Sequence, residues 1–271
     1  MDAQVQNESR GNAARPGQPQ LFLRSVAKRF ANGTVALEDV DLAVNQGDFL
    51  SLLGPSGCGK STALRLIAGL TMPSSGMIDW RGPPIGKTDI GFVFQEPTLM
   101  PWASVFDNVW LPLRLQGVSR AKAEPKVAEM LQRVGLTGFE QSVPRELSGG
   151  MKMRVSIARG LVTRPRLLLM DEPFAALDEI TRFQLNNDLL SVWEQERFTV
   201  IFVTHSVFES VFLSSRIVVM AARPGRVYEE LQVDAPYPRD ESFRTSPEYG
   251  ALCRKTSDIL GQAMHHAHRG D

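Results

Sequence analysis

From Leu21 onward the chain alternates short apolar, β-branched or aromatic runs with longer stretches whose apolar residues return every three or four positions. The runs "LFLRSVAKRF", "DVDLAV", "FLSLLG", "GMIDWRG", "IGFVFQ", "RLLLMDEP", "TVIFVTHS", "RIVVMAA" and "RVYEELQV" predict strands. Several are continuously apolar, as strands covered on both faces must be. Strands interleaved with helical patterns predict an α/β fold. The texture changes after Gln95: "RAKAEPKVAEMLQRVGL" keeps helical spacing and no strand run interrupts before "RLLLM". This predicts a helical insert at about 96–165 within the α/β core.

The boundaries follow from where the pattern fades. Residues 1–20, dominated by Gln, Asn, Gly and Pro, hold too little apolar material to offset ordering entropy and read as a flexible arm. Residues 21–233 form the main unit, and 234–271 a C-terminal extension with a short helical pattern near 247–262. At 271 residues and 43% hydrophobic composition the chain can bury a full core. Thirty basic residues balance thirty acidic ones, which argues against a nucleic-acid partner. No stretch approaches the roughly eighteen apolar residues of a membrane span, and the start carries no apolar block of the secretory kind. We therefore expect a cytosolic protein, and two cysteines, Cys58 and Cys253, suit a reducing compartment.

Candidate chemistry begins with "GPSGCGKST", which comprises Gly54, Pro55, Ser56, Gly57, Cys58, Gly59, Lys60, Ser61 and Thr62. It follows the strand run "FLSLLG" and opens the amphipathic pattern "STALRLIAGL", the setting a phosphate-binding loop requires. Glycines let successive N–H groups turn inward, the helix start adds positive potential, and Lys60 brings charge to the outer phosphates. Ser61 places a hydroxyl where magnesium would sit, and Thr62 can reach an inner phosphate. Cys58, near a helix start, is expected to favour the thiolate.

"RLLLMDEP" ends a strand run in Asp171 and Glu172. Strand ends beside a phosphate loop are where such sheets hold ligands. Asp171 is then placed to hold magnesium and Glu172 to polarise an attacking water. A second glycine-bearing stretch, "LSGGMKMRVSIARG", sets Ser148, Gly149 and Gly150 at a predicted helix start. By itself it is an ordinary serine-capped helix or a second anion site.

The ordered set "GPSGCGKST", Gln95, "LSGGM", "LLLMDEP", "AALD" and His205 resembles the nucleotide-binding subunit of ATP-binding cassette transporters over roughly residues 21–230. The resemblance implies a P-loop NTPase cassette: an α/β fold with a mixed sheet core, an antiparallel β subdomain and the helical insert. It implies ATP and Mg2+ as the bound species. It also implies that Gln95 ligates the metal, that His205 senses the outer phosphate, that Asp178 communicates across a subunit interface and that Phe30 stacks on adenine. Ser148, Gly149 and Gly150 would cap ATP held by a second copy, packed head to tail as a homodimer.

Met151 and Met153 stand where the family usually has Gln, and a thioether cannot donate a hydrogen bond, so altered rather than lost hydrolysis is implied. Met151, the run "TLMPWASVFDNVWLPL" and "AARPGRV" resemble the branch that imports nitrate, sulfonates and taurine. That branch implies transmembrane permease subunits, an extracytoplasmic solute-binding protein acting indirectly, and a peripheral place on the inner face of the bacterial membrane. Among Leu99, Trp102, Val105 and Val109, some must be core and the rest are available to a permease helix. Cassette ATPases of DNA repair or translation carry a long coiled coil or two cassettes, and this sequence has neither. The terminal "MHHAHRGD" reads as a solvated tail in preference to a metal site.

Overall fold

Strand periodicity explains how one sheet supports two cores. The computed structural model describes residues 17–267 apart from 84 and 87, so positions 1–16 of the expected arm and His268 lie outside the described residues. Six strands form the main sheet: β3 (Phe49–Leu53), β5 (Ile90–Val93), β6 (Leu167–Asp171), β7 (Thr199–Thr204), β8 (Arg216–Ala221) and β9 (Arg226–Gln232), ordered β5-β6-β7-β3-β8-β9. All neighbours are parallel except β8 and β9. Alternate side chains divide between the faces, as the period of two demands. Leu50, Leu52, Leu167, Leu169, Ile201, Val203, Val218 and Met220 enter one buried cluster. Phe49, Leu53, Leu168, Met170, Val200, Phe202, Ile217 and Val219 enter the other.

The first face packs against helix α1 (Lys60–Ile67) and a smaller antiparallel sheet of β2 (Val35–Asn45), β1 (Pro19–Arg29) and β4 (Ser75–Trp80) in the order β2-β1-β4. Strand β1 begins at Pro19, and Gln20 is buried, so ordered structure starts two residues ahead of the expected boundary at 21.

The second face carries α2 (Val105–Leu115), α3 (Arg120–Arg133) and α4 (Gly149–Leu161), then α5 (Glu179–Glu196) and α6 (Val207–Leu213). The loop before α2 is shaped by fully buried Asn108, whose amide oxygen accepts from the Met100 N–H while its nitrogen donates to the carbonyls of Met100, Ala103 and Ser104. Beyond β9 come α7 (Glu241–Arg244) and α8 (Pro247–Ala267), and α8 lays Tyr249, Cys253, Ile259 and Ala263 into the same cluster. Arg239, between β9 and α7, is buried with its guanidinium donating to the carbonyls of Val211, Phe212, Ser214, Val233 and Ala235. It fastens the extension to the last turn of α6. Among the described residues no helix is long and apolar enough to cross a membrane.

Candidate functional site

The C-terminal ends of the parallel strands converge on Lys60. β3 delivers the loop Gly54–Thr62, and α1 opens on Gly59, whose φ of 90° is in the left-handed region. The Lys60 ammonium is buried and donates to the carbonyls of Gly54 (2.7 Å) and Pro55 (3.0 Å). Ser56 and Gly57 are exposed at the loop crest, while Thr62 is half-buried in the first turn of α1.

β6 brings the two carboxylates to this loop. The Ser61 hydroxyl donates to Asp171 Oδ1 at 2.7 Å. Burial pushes the Asp171 carboxyl up, the Ser61 hydrogen bond opposes this, and the neighbouring Glu172 charge adds to it. One residue on, Glu172 takes a positive φ of 46°, an uncommon backbone state for a side chain of this kind and one found at functional sites. The turn aims its two oxygens differently. Oε1 lies 3.8 Å from Lys60 Nζ, and Oε2 lies 3.2 Å from His205 Nδ1 just beyond β7. Gln95 is exposed two residues past β5, whose register with β6 pairs Val93 with Met170. Gln95 therefore lies level with Glu172 beyond the sheet edge.

A second cluster forms at the starts of α4 and α5. Ser148 caps α4 by accepting from Met151 N–H, and Asp178 caps α5 by accepting from Thr181 N–H. Those Thr181 hydrogen bonds hold the Asp178 carboxyl below its usual range. Ser148, Gly149 and Asp178 are exposed. Gly150 is buried against α5: a Cβ there would fall 2.6 Å from Thr181 Cγ2, whereas one at Gly149 meets Leu177 at an ordinary 3.5 Å. The two glycines of "LSGG" thus differ in surroundings: Gly149 is open to solvent, and the missing side chain of Gly150 permits helix contact.

Phe30 is 40% exposed at the turn joining β1 to β2, with the Lys28 ammonium 5.5 Å from its ring centre. This hairpin is hydrogen-bonded to the turn between β8 and β9 and packs closely on the phosphate loop. Gly225 N–H donates to Ala36 O and Glu38 N–H to Gly225 O. A Cβ on Gly59 would lie 2.7 Å from Ala36 O, and one on Gly225 would lie 2.2 Å from Cys58 O.

Two expectations need correction. The Cys58 side chain is fully buried, in the cluster beneath α1, and burial pushes its thiol up. Desolvation outweighs the charge of Lys60, whose ammonium lies 3.8 Å from Cys58 Sγ, so a thiolate is not favoured. Met153 is a core residue of the cluster on the opposite face of the sheet, and Met151 is half-buried against that second cluster. Packing volume is therefore one demand on position 153. Of the four residues considered for a permease helix, Val105 and Val109 are buried, Leu99 packs partly against the core and Trp102 is 80% exposed. Sequence reasoning passed over Arg182 and Glu209, an ion pair between α5 and α6 in which Glu209 is buried and Arg182 half-buried. Their spacing, four residues after Asp178 and four after His205, was the available signal.

A phosphate loop, a strand-end carboxylate pair and a second helix-start glycine loop on a sheet with a helical insert define an ATP-binding cassette. The chain belongs to the ABC transporter family, whose pattern matches residues 37–175. It is 45% identical over 236 residues to an ATP-binding protein of Brucella abortus, covering 86% of this chain and 90% of that one. It is 44% identical over 240 residues to the aliphatic sulfonates import ATP-binding protein SsuB of Bacillus licheniformis, covering 87% and 92%. An ATP-binding cassette solved as a dimer in a post-hydrolysis state with ADP and Pi superposes with a TM-score of 0.71 at 32% identity, covering 80% of this chain and all of that one. The chain is an ATPase subunit of this family.

Proposed function

We propose that this ATPase drives uptake of a small solute, such as nitrate, a sulfonate or taurine, across the bacterial cell membrane. It works as a homodimer on the inner face beneath separate permease subunits, which an extracytoplasmic solute-binding protein supplies. Likeness to a sulfonate importer's ATPase and to a dimeric cassette supports this reading, and exposed Trp102 is the residue offered to a permease helix.

The observation that carries the catalytic reading is the line Lys60–Glu172–His205, in which one carboxylate lies between two basic groups. The loop Gly54–Thr62 cradles the phosphates, with Lys60 exchanging its carbonyl partners for phosphate oxygens, and Phe30 stacks on adenine. The paired oxygens of Ser61 and Asp171, 2.7 Å apart, suit a hard divalent cation, with the Gln95 amide oxygen as a third donor. Bound there, Mg2+ neutralises charge on the outer phosphates. Glu172 orients a water and accepts its proton, while His205 holds the outer phosphate and registers its departure. Ser148, Gly149 and Gly150 of one copy close over the nucleotide of the other, and Asp178 of each faces that junction.

Glu172→Gln should lower ATP turnover about 100-fold or more while ATP still binds. Turnover within a few-fold of wild type would overturn the assignment. Cells lacking the chain should lose uptake of radiolabelled nitrate, taurine or an alkanesulfonate. Unchanged uptake of all three would overturn the importer reading.

A further inference from the structure

The two clusters of the site are joined by a polar chain whose centre, Thr204 and Glu209, is buried. Arg182, in the first turns of α5, donates from one terminal nitrogen to the carbonyl of Leu177 at 3.0 Å, the residue preceding Asp178. Its Nε lies 3.6 Å from Glu209 Oε1. The other Glu209 oxygen accepts from the hydroxyl of Thr204 at 2.5 Å, and the same hydroxyl accepts from the Ser206 N–H at 3.0 Å. Thr204 and Ser206 are the two neighbours of His205. The Ser206 hydroxyl in turn accepts from the Glu209 N–H at 3.3 Å, so the Glu209 carboxylate holds Thr204 directly and Ser206 through the Thr204 hydroxyl. Thr204 and Glu209 are both buried. Burial pushes the Glu209 carboxyl up, opposed by the Thr204 hydrogen bond and by the charge of Arg182.

We infer that Arg182 and Glu209 are positioning residues that tie the place of the Asp178 loop to the place of His205. The inference rests on His205 and Glu172 acting on the nucleotide as proposed above. A guanidinium suits this task because its planar fork can serve a carbonyl on one side and a carboxylate on another at the same time. A shift of the Asp178 loop moves Leu177 O, Arg182 follows, and the carboxylate that holds both flanks of His205 moves with it. The Nδ1–Glu172 contact of 3.2 Å then opens or closes. The pair therefore lets one copy's nucleotide respond to how the other copy is seated, through rigid contacts and without a side chain of its own touching the nucleotide.

The test uses the full chain with Arg182→Met, Glu209→Gln, the double variant and His205→Ala. The readings are steady-state ATP turnover, affinity for a fluorescent ATP analogue, and thermal midpoint. Each single variant should lose about tenfold or more in kcat, as small misplacements at a reacting centre do. Nucleotide affinity should stay within twofold. The double variant should be no slower than the worse single, because both break the same link. Singles that keep kcat within twofold of wild type, or losses that multiply in the double, would overturn the inference. A lone buried charge can unfold a chain. If a single does not fold, the double, which removes both charges, is read instead, and kcat within twofold at intact affinity again overturns it. Loss of turnover in His205→Ala beside normal Arg182→Met and Glu209→Gln proteins would overturn the inference alone. Full turnover in His205→Ala would overturn the reading of His205 and the inference with it.

Discussion

Arg239→Met isolates the contribution of a cation buried among carbonyls. Methionine keeps much of the apolar stem and removes every donor, leaving five backbone oxygens without the guanidinium they accept from. A buried polar group left unmatched costs about 1–3 kcal/mol, so the gross loss is on the order of 5–15 kcal/mol. Two effects reduce it. Burial lowers the Arg239 pKa, a sign that the charge itself is costly to bury, and removing it returns several kcal/mol. Val233 O, at 3.4 Å, is also only weakly engaged. A net destabilisation of about 3 kcal/mol remains, which for a chain of this size lowers Tm by about 6–12 °C. Urea denaturation followed by tryptophan fluorescence measures it directly, since Trp193 packs 4.9 Å from the Tyr237 ring, which lies under the Arg239 guanidinium. Arg239→Lys, with three donors on one atom, should fall between. A stability within about 1 kcal/mol of wild type for Arg239→Met would refute the reasoning.

Gly149→Asp should leave the monomer folded and able to bind ATP, because a Cβ there has room and an acidic group suits a helix start. Combined with Glu172→Gln it should abolish ATP-dependent dimers in size-exclusion chromatography, and persistence of the dimer would count against the head-to-tail arrangement. Gly150→Asp cannot make this distinction, since its side chain strikes Thr181 of its own chain. Cys58 should resist maleimide in the native protein with or without ATP, because its thiol is buried and its pKa raised; fast native labelling that ATP blocks would place the thiol in the site after all. Met153→Gln should destabilise by about 1–3 kcal/mol through an amide in the core, whereas Met151→Gln at its half-buried position should change stability by less than about 1 kcal/mol, with thermal unfolding as the measure.

What could be read from the sequence was whatever the chain encodes locally. The phosphate loop shows itself because strand, glycines, lysine and helix are consecutive, and the strand-end carboxylates because a buried run stops at them. The direction of the Cys58 side chain was hidden, since the left-handed turn at Gly57 and Gly59 rotates it inward and no local pattern records that. That position 150 must be a glycine for packing was hidden, because the Thr181 it makes room for is thirty-one positions away. Arg239 sits in the Pro-rich and charged "DAPYPRD", which carries no strand or helix period to place it. Three of its acceptors come from 211–214 at the end of α6, and sequence spacing cannot show carbonyls supplied by another element.

The meeting of Gly59, Gly225 and the carbonyl of Ala36 leads to a conclusion about ligand choice. Phe30 follows a strand of the smaller sheet and Lys60 opens α1 beyond the main one, and what separates them is a glycine seam filled by the Ala36 carbonyl and the Leu37 side chain. On the proposed reading, the span from base to outer phosphate is therefore measured by a gauge made of backbone and one buried leucine, Leu37. A mutation at the aromatic end changes how well a base is gripped, and one at the lysine end how well a phosphate is gripped, but neither alters the gap. A residue forced into position 59 or 225, or a larger side chain at 37, would act as a shim, lengthening the gauge and turning preference away from the ligand length the wild-type chain accepts.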